Sequence, residues 1–156
     1  MGRLPPGRRP PDAPGLVSTA TAPAPVTEKP SVAHLPYRPE SASAARRLIR
    51  DKLAEWGLDE LIDDAQLIAS ELVGNAAKTG CLLRMTFEVT RITATAVRIS
   101  VTDGSRVLPV LIDASLSAEG GRGLALVHQL TKGRWGSTLE PLGKTVHADL
   151  QMRGAS

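Results

Sequence analysis

The sequence predicts an α+β fold, a two-layer sandwich in which helices pack on one face of a mixed, mainly antiparallel sheet. Two observations predict it. Apolar residues recur at helical spacing in two long segments before residue 79, and they alternate with polar residues in two later pairs of short segments. With one more helix between these pairs, the order is helix, helix, hairpin, helix, hairpin.

The two long segments have recognisable helix start and stop signals. Ser41 or Ser43 is expected to cap the first helix, since a serine hydroxyl can accept hydrogen bonds from free backbone N–H groups. Gly57 is expected to end it. The second helix is predicted from about Asp59 to Lys78. Its apolar face consists of Leu61, Ala65, Ile68 and Leu72, and its polar stripe of Asp64, Glu71, Asn75 and Lys78.

Strand alternation follows in two segments that form a predicted hairpin. The alternating apolar residues are Leu83, Met85, Phe87 and Val89, and then Val97, Ile99 and Val101. Asp103 continues the second series, so alternation points its carboxylate toward the face that the sheet buries. A buried carboxylate needs a partner.

The C-terminal part is predicted to hold the last helix and the second hairpin. After a long loop, a third helix runs from Leu124 and ends by Gly133. Two strands follow at about 134–139 and 145–151, and a turn at 141–143 joins them.

The first 30 residues differ in composition from the rest of the chain. They hold eight of the twelve prolines, interleaved with Gly, Ala, Ser and Thr, and few bulky apolar residues. Such a segment cannot bury enough apolar surface to offset the entropy of ordering it. We therefore predict a disordered, proline-rich tail at 1–30 and one domain at 31–156.

Cysteine content and hydropathy indicate the compartment. The single cysteine, Cys81, cannot form an internal disulfide. No apolar run approaches the roughly 20 residues that span a bilayer, and prolines interrupt the N-terminus where a signal peptide needs a continuous apolar stretch. We expect a cytoplasmic protein with no membrane partner.

The net charge of +3 does not indicate a nucleic-acid-binding protein. Four cations and two anions fall in the first 30 residues, which leaves +1 for the remainder. The predicted domain is therefore almost neutral and has no basic stripe. We expect no direct contact with nucleic acid.

The first candidate site lies on the predicted second helix. Glu71 and Asn75 are four residues apart and so share a helical face. A carboxylate can polarise a water or a hydroxyl, and an amide oxygen can help to hold Mg²⁺. An ordinary solvated helix face is the alternative, and this spacing alone does not exclude it.

Two further candidate sites follow the second helix. The carboxylate of Asp103 can accept a hydrogen bond from an exocyclic amine such as that of adenine, or it can cap a turn. The glycine-rich segment 119–123 runs directly into the third helix, where backbone N–H groups and the helix N-terminus suit a phosphate. A P-loop and a Rossmann fold do not fit, because there is no GxxxxGK[ST] and no βαβ context.

Together these segments resemble the N, G1 and G2 boxes of the histidine-kinase-like (GHKL, Bergerat-fold) ATPases, over the region from about Val32 to Arg153. The resemblance is closest to the branch of small anti-sigma-factor serine kinases and their single-domain relatives in high-GC bacteria. The matching segments are Glu71 to Ala76, Asp103 to Ser105, Gly120 to Val127, Trp135-Gly136 and Gly143 to Val146.

The resemblance implies that the domain binds ATP together with Mg²⁺. It implies Glu71 as the general base and Asn75 as the magnesium ligand. Asp103 would contact the adenine, with Thr145 as its neighbour. The G1 box is shortened here to the three residues 103–105, which is one departure from the wider superfamily.

The resemblance also implies a phosphate-binding loop. Gly121 and Gly123 would form it, and Arg122 is the cation inside the box that could touch phosphate. Two departures bear on phosphoryl transfer. Glu119 stands where kinase members tend to carry a basic residue, and Ala125 replaces the third glycine of the G2 box.

The sequence therefore favours one function, a kinase-like regulator, and leaves an alternative open. The first is an ATP-dependent protein-serine kinase that phosphorylates an anti-sigma-factor antagonist and so regulates transcription. The second is a non-catalytic module that senses ATP or binds a partner as an anti-sigma factor does. The implied protein partner is an anti-sigma-factor antagonist or a sigma factor, and relatives often form homodimers.

Overall fold

The computed structural model describes residues 28–78, 84–104 and 122–154. Their elements, in chain order, are β1 (Ser31–Leu35), α1 (Ser41–Glu55), a 3₁₀ turn (Asp59–Leu61), α2 (Ile62–Ala77), β2 (Met85–Thr93), β3 (Ala96–Asp103), α3 (Arg122–Thr131), β4 (Trp135–Glu140) and β5 (Gly143–Gln151). The five strands form one sheet in the order β1-β2-β3-β5-β4. The predicted α+β fold is confirmed, but every described strand pair is antiparallel, so the sheet is not mixed.

One face of the sheet is apolar because side chains alternate along each strand. Phe87, Ile99 and Ala148 are fully buried on this face. The helices cover it: α1 lies against β1 and β2, α2 against β3 and β5, and α3 against β4 and β5. On the opposite face Arg98 and Asp149 form a cross-strand ion pair with an Nε–Oδ1 distance of 2.7 Å. The domain therefore has two layers around one core.

Strand β1 is the element that the sequence did not predict. It pairs with β2, with Ser31 opposite Val89 and Leu35 opposite Met85. Only Leu35 of this strand is buried, and Val32 is 47% exposed, so its side chains give a weak alternation signal. Backbone pairing with a strand 50 residues later defines it, and such pairing cannot be seen in a local window.

Helix α1 begins where expected, but the predicted serine cap is wrong. Ser41 is the first helical residue, and its hydroxyl donates to the carbonyl of Pro36 at 2.7 Å. Glu40 is the cap residue and makes no side-chain capping bond, while Ser43 lies inside the helix. The serine therefore holds the turn between β1 and α1 instead of the helix end. Gly57, at a φ of +73°, follows the helix end as predicted.

The remaining element boundaries agree with the prediction to within two residues, except in β2, which ends at Thr93, four residues after Val89, the last residue of the predicted alternation. Leu83, the first residue of that alternation, lies outside the described residues. The predicted second helix divides into the 3₁₀ turn and α2, and α3 begins at Arg122. Strand β5 begins at Gly143, which shortens the turn of the last hairpin to residues 141–142. No helix among the described residues is long and apolar enough to cross a membrane.

Most of the predicted tail, residues 1–27, lies outside the described residues. At its boundary Glu28 forms an ion pair with Arg91, with an Oε1–NH1 distance of 3.2 Å. Because pairs of this partly exposed kind contribute roughly 0–1 kcal/mol, the boundary contact adds little. We expect deletion of residues 1–27, which retains Glu28, to leave the melting temperature nearly unchanged. A fall of more than about 5 °C in thermal unfolding would show that the segment stabilises the domain.

Candidate functional site

The carboxylate of Asp103 is buried at the end of β3, on the face that the helices cover, as alternation predicted. Its two oxygens lie 3.2 and 3.1 Å from the ammonium nitrogen of Lys144, which is also buried. Lys144 is therefore the partner that a buried carboxylate needs.

A close backbone approach at Gly143 brings these two residues together. A Cβ at this position would overlap the carbonyl oxygen of Asp103 and lie 3.0 Å from the Cα of Gly104. Only glycine lets β5 begin this close to the end of β3. The next residue, Lys144, is then the register partner of Asp103, and antiparallel partners present their side chains on the same face.

A residue in the connection between β1 and α1 holds the backbone just after Asp103. The backbone N–H of Gly104 donates to the hydroxyl of Tyr37 at 2.9 Å. Tyr37 lies in the connection between β1 and α1 and packs against the core. This bond fixes the direction in which the chain leaves β3.

Helices α2 and α3 meet at a second carboxylate. Glu71 is half-buried on α2, and its side chain lies against Gly123 in the first turn of α3. A Cβ at Gly123 would overlap Oε2 of Glu71 and lie 3.1 Å from its Cδ. A carboxylate is electrostatically favourable at a helix N-terminus, where free N–H groups carry partial positive charge. The structure thus brings together the predicted general base and the end of the glycine-rich segment.

The remaining residues predicted for the site do not all lie beside Asp103 or Glu71. Asn75 is half-buried one turn after Glu71 on α2. Gly121 lies outside the described residues. Arg122 is the first residue of α3, and the structure describes its backbone but not its side chain. The hydroxyl of Thr145 bonds to Thr102 at 2.8 Å, on the sheet face away from Asp103. Contact of Thr145 with adenine stays a prediction.

The described residues contain no cluster of metal-binding side chains. No group of three or more His, Cys, Asp and Glu side chains there could hold a metal ion. The amide of Asn75 offers one hard oxygen ligand, which fits Mg²⁺ when most other ligands are phosphate oxygens and water. The donor set therefore fits a metal that arrives with a nucleotide.

Two residues of this region, Lys144 and Tyr37, were not identified from the sequence. Lys144 could have been found, because Val146, Ala148 and Leu150 alternate along β5 and Lys144 continues the buried series. Tyr37 gives no such signal. Its role depends on a contact with a residue 67 positions later.

Gly123 offers a test of the contact between α2 and α3. In Gly123→Ala the new Cβ would displace the Glu71 carboxylate, so we expect no gain in the free energy of unfolding. Gly74→Ala is the matched control, since a Cβ there meets nothing within 4 Å and alanine stabilises a helix by up to about 1 kcal/mol. Denaturant unfolding measures both variants.

A double variant completes the test of Gly123. When Glu71 is already alanine, the added Cβ meets no carboxylate, and Gly123→Ala should then stabilise the domain as Gly74→Ala does. Equal effects of Gly123→Ala with and without Glu71 would show that the two residues are not coupled.

The chain belongs to the histidine kinase-like ATPase domain family, whose sequence model matches residues 35–148. Domains of this family bind ATP. The fold of this chain is similar to that in the crystal structure of the RsbU and RsbW domains of Rv1364c from Mycobacterium tuberculosis, with a TM-score of 0.60 and 22% sequence identity. The match covers 80% of this chain and 32% of that chain, so this chain spans about a third of its length. A search of curated proteins gives no significant match.

Proposed function

We propose that this chain is an ATP-binding regulatory protein that works with Mg²⁺. The observation that supports this most directly is the contact of Glu71 with Gly123. It joins a carboxylate on one helix to the N-terminus of the next, directly after the glycine-rich segment. A helix N-terminus that follows such a segment favours phosphate.

The adenine would bind where β3 ends. Asp103 is an acceptor for the 6-amino group, and its carboxylate is held in place by Lys144. The Tyr37 hydroxyl fixes the backbone of Gly104 beside it. Because these contacts exist before a ligand arrives, the acceptor is preorganised and little ordering free energy is spent on binding.

The phosphates would extend from there toward the start of α3. Residues 121–123 would present backbone N–H groups to the phosphate oxygens, and Asn75 would supply one oxygen ligand to the metal. When bound, Mg²⁺ neutralises phosphate charge. Glu71 would then orient and accept the proton of an attacking hydroxyl.

The substrate that we propose is a serine hydroxyl on an anti-sigma-factor antagonist, in a cytoplasmic circuit that regulates transcription. The same family resemblance is also compatible with a homodimer, or with a sigma factor as the bound partner. The second candidate function is a binding module with little turnover. The position of Glu71 favours this alternative, because its carboxylate already lies against the backbone of α3 instead of facing open space.

One experiment distinguishes the two functions. The full chain is incubated with Mg²⁺ and ATP labelled at the γ-phosphate, together with a candidate antagonist that carries the acceptor serine. Transfer of label to that serine supports the kinase. Bound ATP without transfer or hydrolysis supports the binding module, and a chain that binds no ATP contradicts both.

A further inference from the structure

The ammonium group of Lys144 lies inside the candidate site instead of at its rim. Its side chain is 7% exposed, and that of Asp103 is 2% exposed. Two of its N–H groups face the two oxygens of Asp103, at 3.2 and 3.1 Å. An ammonium has three donors, and within the described ranges 28–78, 84–104 and 122–154 the third has no protein acceptor.

A buried donor without an acceptor is unfavourable, so this third N–H indicates a place for a ligand atom. The charge of Lys144 is already balanced by Asp103, and a second anion is not needed there. A neutral acceptor is therefore the fitting partner. It would lie beside whatever group donates to Asp103, because the two side chains are about 3.1 Å apart.

A purine base with a 6-amino group has this arrangement. The amino group donates, and the ring nitrogens N1 and N7 on either side of it accept. The geometry points to Lys144 as a base-recognition residue: it donates its third N–H to N1 or N7 while Asp103 accepts from the 6-amino group. This inference rests on the proposed ATP site and adds a second contact by which that site selects adenine.

Analogues that lack one ring nitrogen test the inference on the unaltered full chain. Titration calorimetry compares ATP, 1-deaza-ATP and 7-deaza-ATP. One of the two analogues should bind roughly 10- to 100-fold more weakly than ATP, since a hydrogen bond from a charged donor is lost. The analogue that is weakened identifies the base edge that Lys144 reads.

The outcomes separate this inference from the proposed function. If ATP binds and both analogues bind as ATP does, the inference about Lys144 is wrong and the ATP site stands. If ATP does not bind, the proposed function and the inference fall together.

Variants of Lys144 test whether this residue causes the weaker binding of the deaza analogue. In Lys144→Met the difference between ATP and the weakened analogue should shrink to less than about twofold, because the donor is gone. If the methionine variant does not fold, Lys144→Arg replaces it, because arginine keeps a positive charge beside Asp103. The donors of arginine lie at different positions, so the difference in affinity between ATP and the weakened analogue should also shrink. Lys52→Met, on the surface of α1, is the control and should keep the full penalty. An undiminished penalty in a folded Lys144 variant would overturn the inference.

Discussion

Replacement of Glu71 by alanine is expected to lower the rate of ATP hydrolysis or phosphoryl transfer by roughly 10²- to 10⁴-fold, with little change in ATP affinity. The reason is the division of roles in the site. Asp103 and the start of α3 would bind the nucleotide, whereas Glu71 would act on the attacking hydroxyl. Turnover of γ-labelled ATP gives the rate, and titration calorimetry gives the affinity.

The control for Glu71 is Glu60→Ala. Glu60 lies in the 3₁₀ turn before α2, at the opposite end of that helix from Asn75, and is exposed. Its removal should change neither rate nor affinity. If the wild-type chain turns over ATP and Glu71→Ala does so at the same rate, Glu71 belongs to an ordinary helix face and is not the base.

The second large effect is expected for Asp103→Asn. An amide replaces a charged acceptor, so ATP should bind more weakly by about 1.5–3 kcal/mol, or roughly 10- to 100-fold. The same change leaves Lys144 buried without its counter-charge, and breaking a buried pair in this way costs about 3–5 kcal/mol of stability. Calorimetry and denaturant unfolding measure the two effects separately.

Asp149→Asn is the matched control for Asp103→Asn. Asp149 is also an aspartate paired with a cation, but it lies on the outer face of the sheet, and Arg98 in that pair is 48% exposed. An exposed pair contributes roughly 0–1 kcal/mol, so both affinity and stability should change little. A folded Asp103→Asn protein that binds ATP as wild type does would remove Asp103 from the site.

Much of the fold could be predicted because its signals are local. The apolar faces of α1 and α2 and the alternation in β2 and β3 lie within short windows of sequence. Strand β1 was missed because its pairing with β2 defines it, and its own five residues alternate weakly. The serine cap was wrong for a similar reason, since the carbonyl of Pro36 competes for the Ser41 hydroxyl.

For the candidate site, too, the features with local sequence signals could be predicted, and those that depend on tertiary contacts could not. The inward position of Asp103 follows from strand alternation alone. Its pairing with Lys144 depends on the register between β3 and β5, and the contact of Glu71 with Gly123 depends on how α2 packs against α3. Neither is contained in residue spacing. Gly121 lies outside the described residues, so its role as part of the phosphate loop stays a prediction.

We propose that ATP binds at the end of β3, beside the pair formed by Asp103 and Lys144. The most direct test is a calorimetric titration of the full chain with ATP and Mg²⁺, run in parallel on wild type and on folded Asp103→Asn. We predict saturable binding to wild type at one nucleotide per chain, and binding to the variant that is weaker by roughly tenfold or more. No saturable heat with wild type, or equal affinity in the two proteins, would contradict the claim.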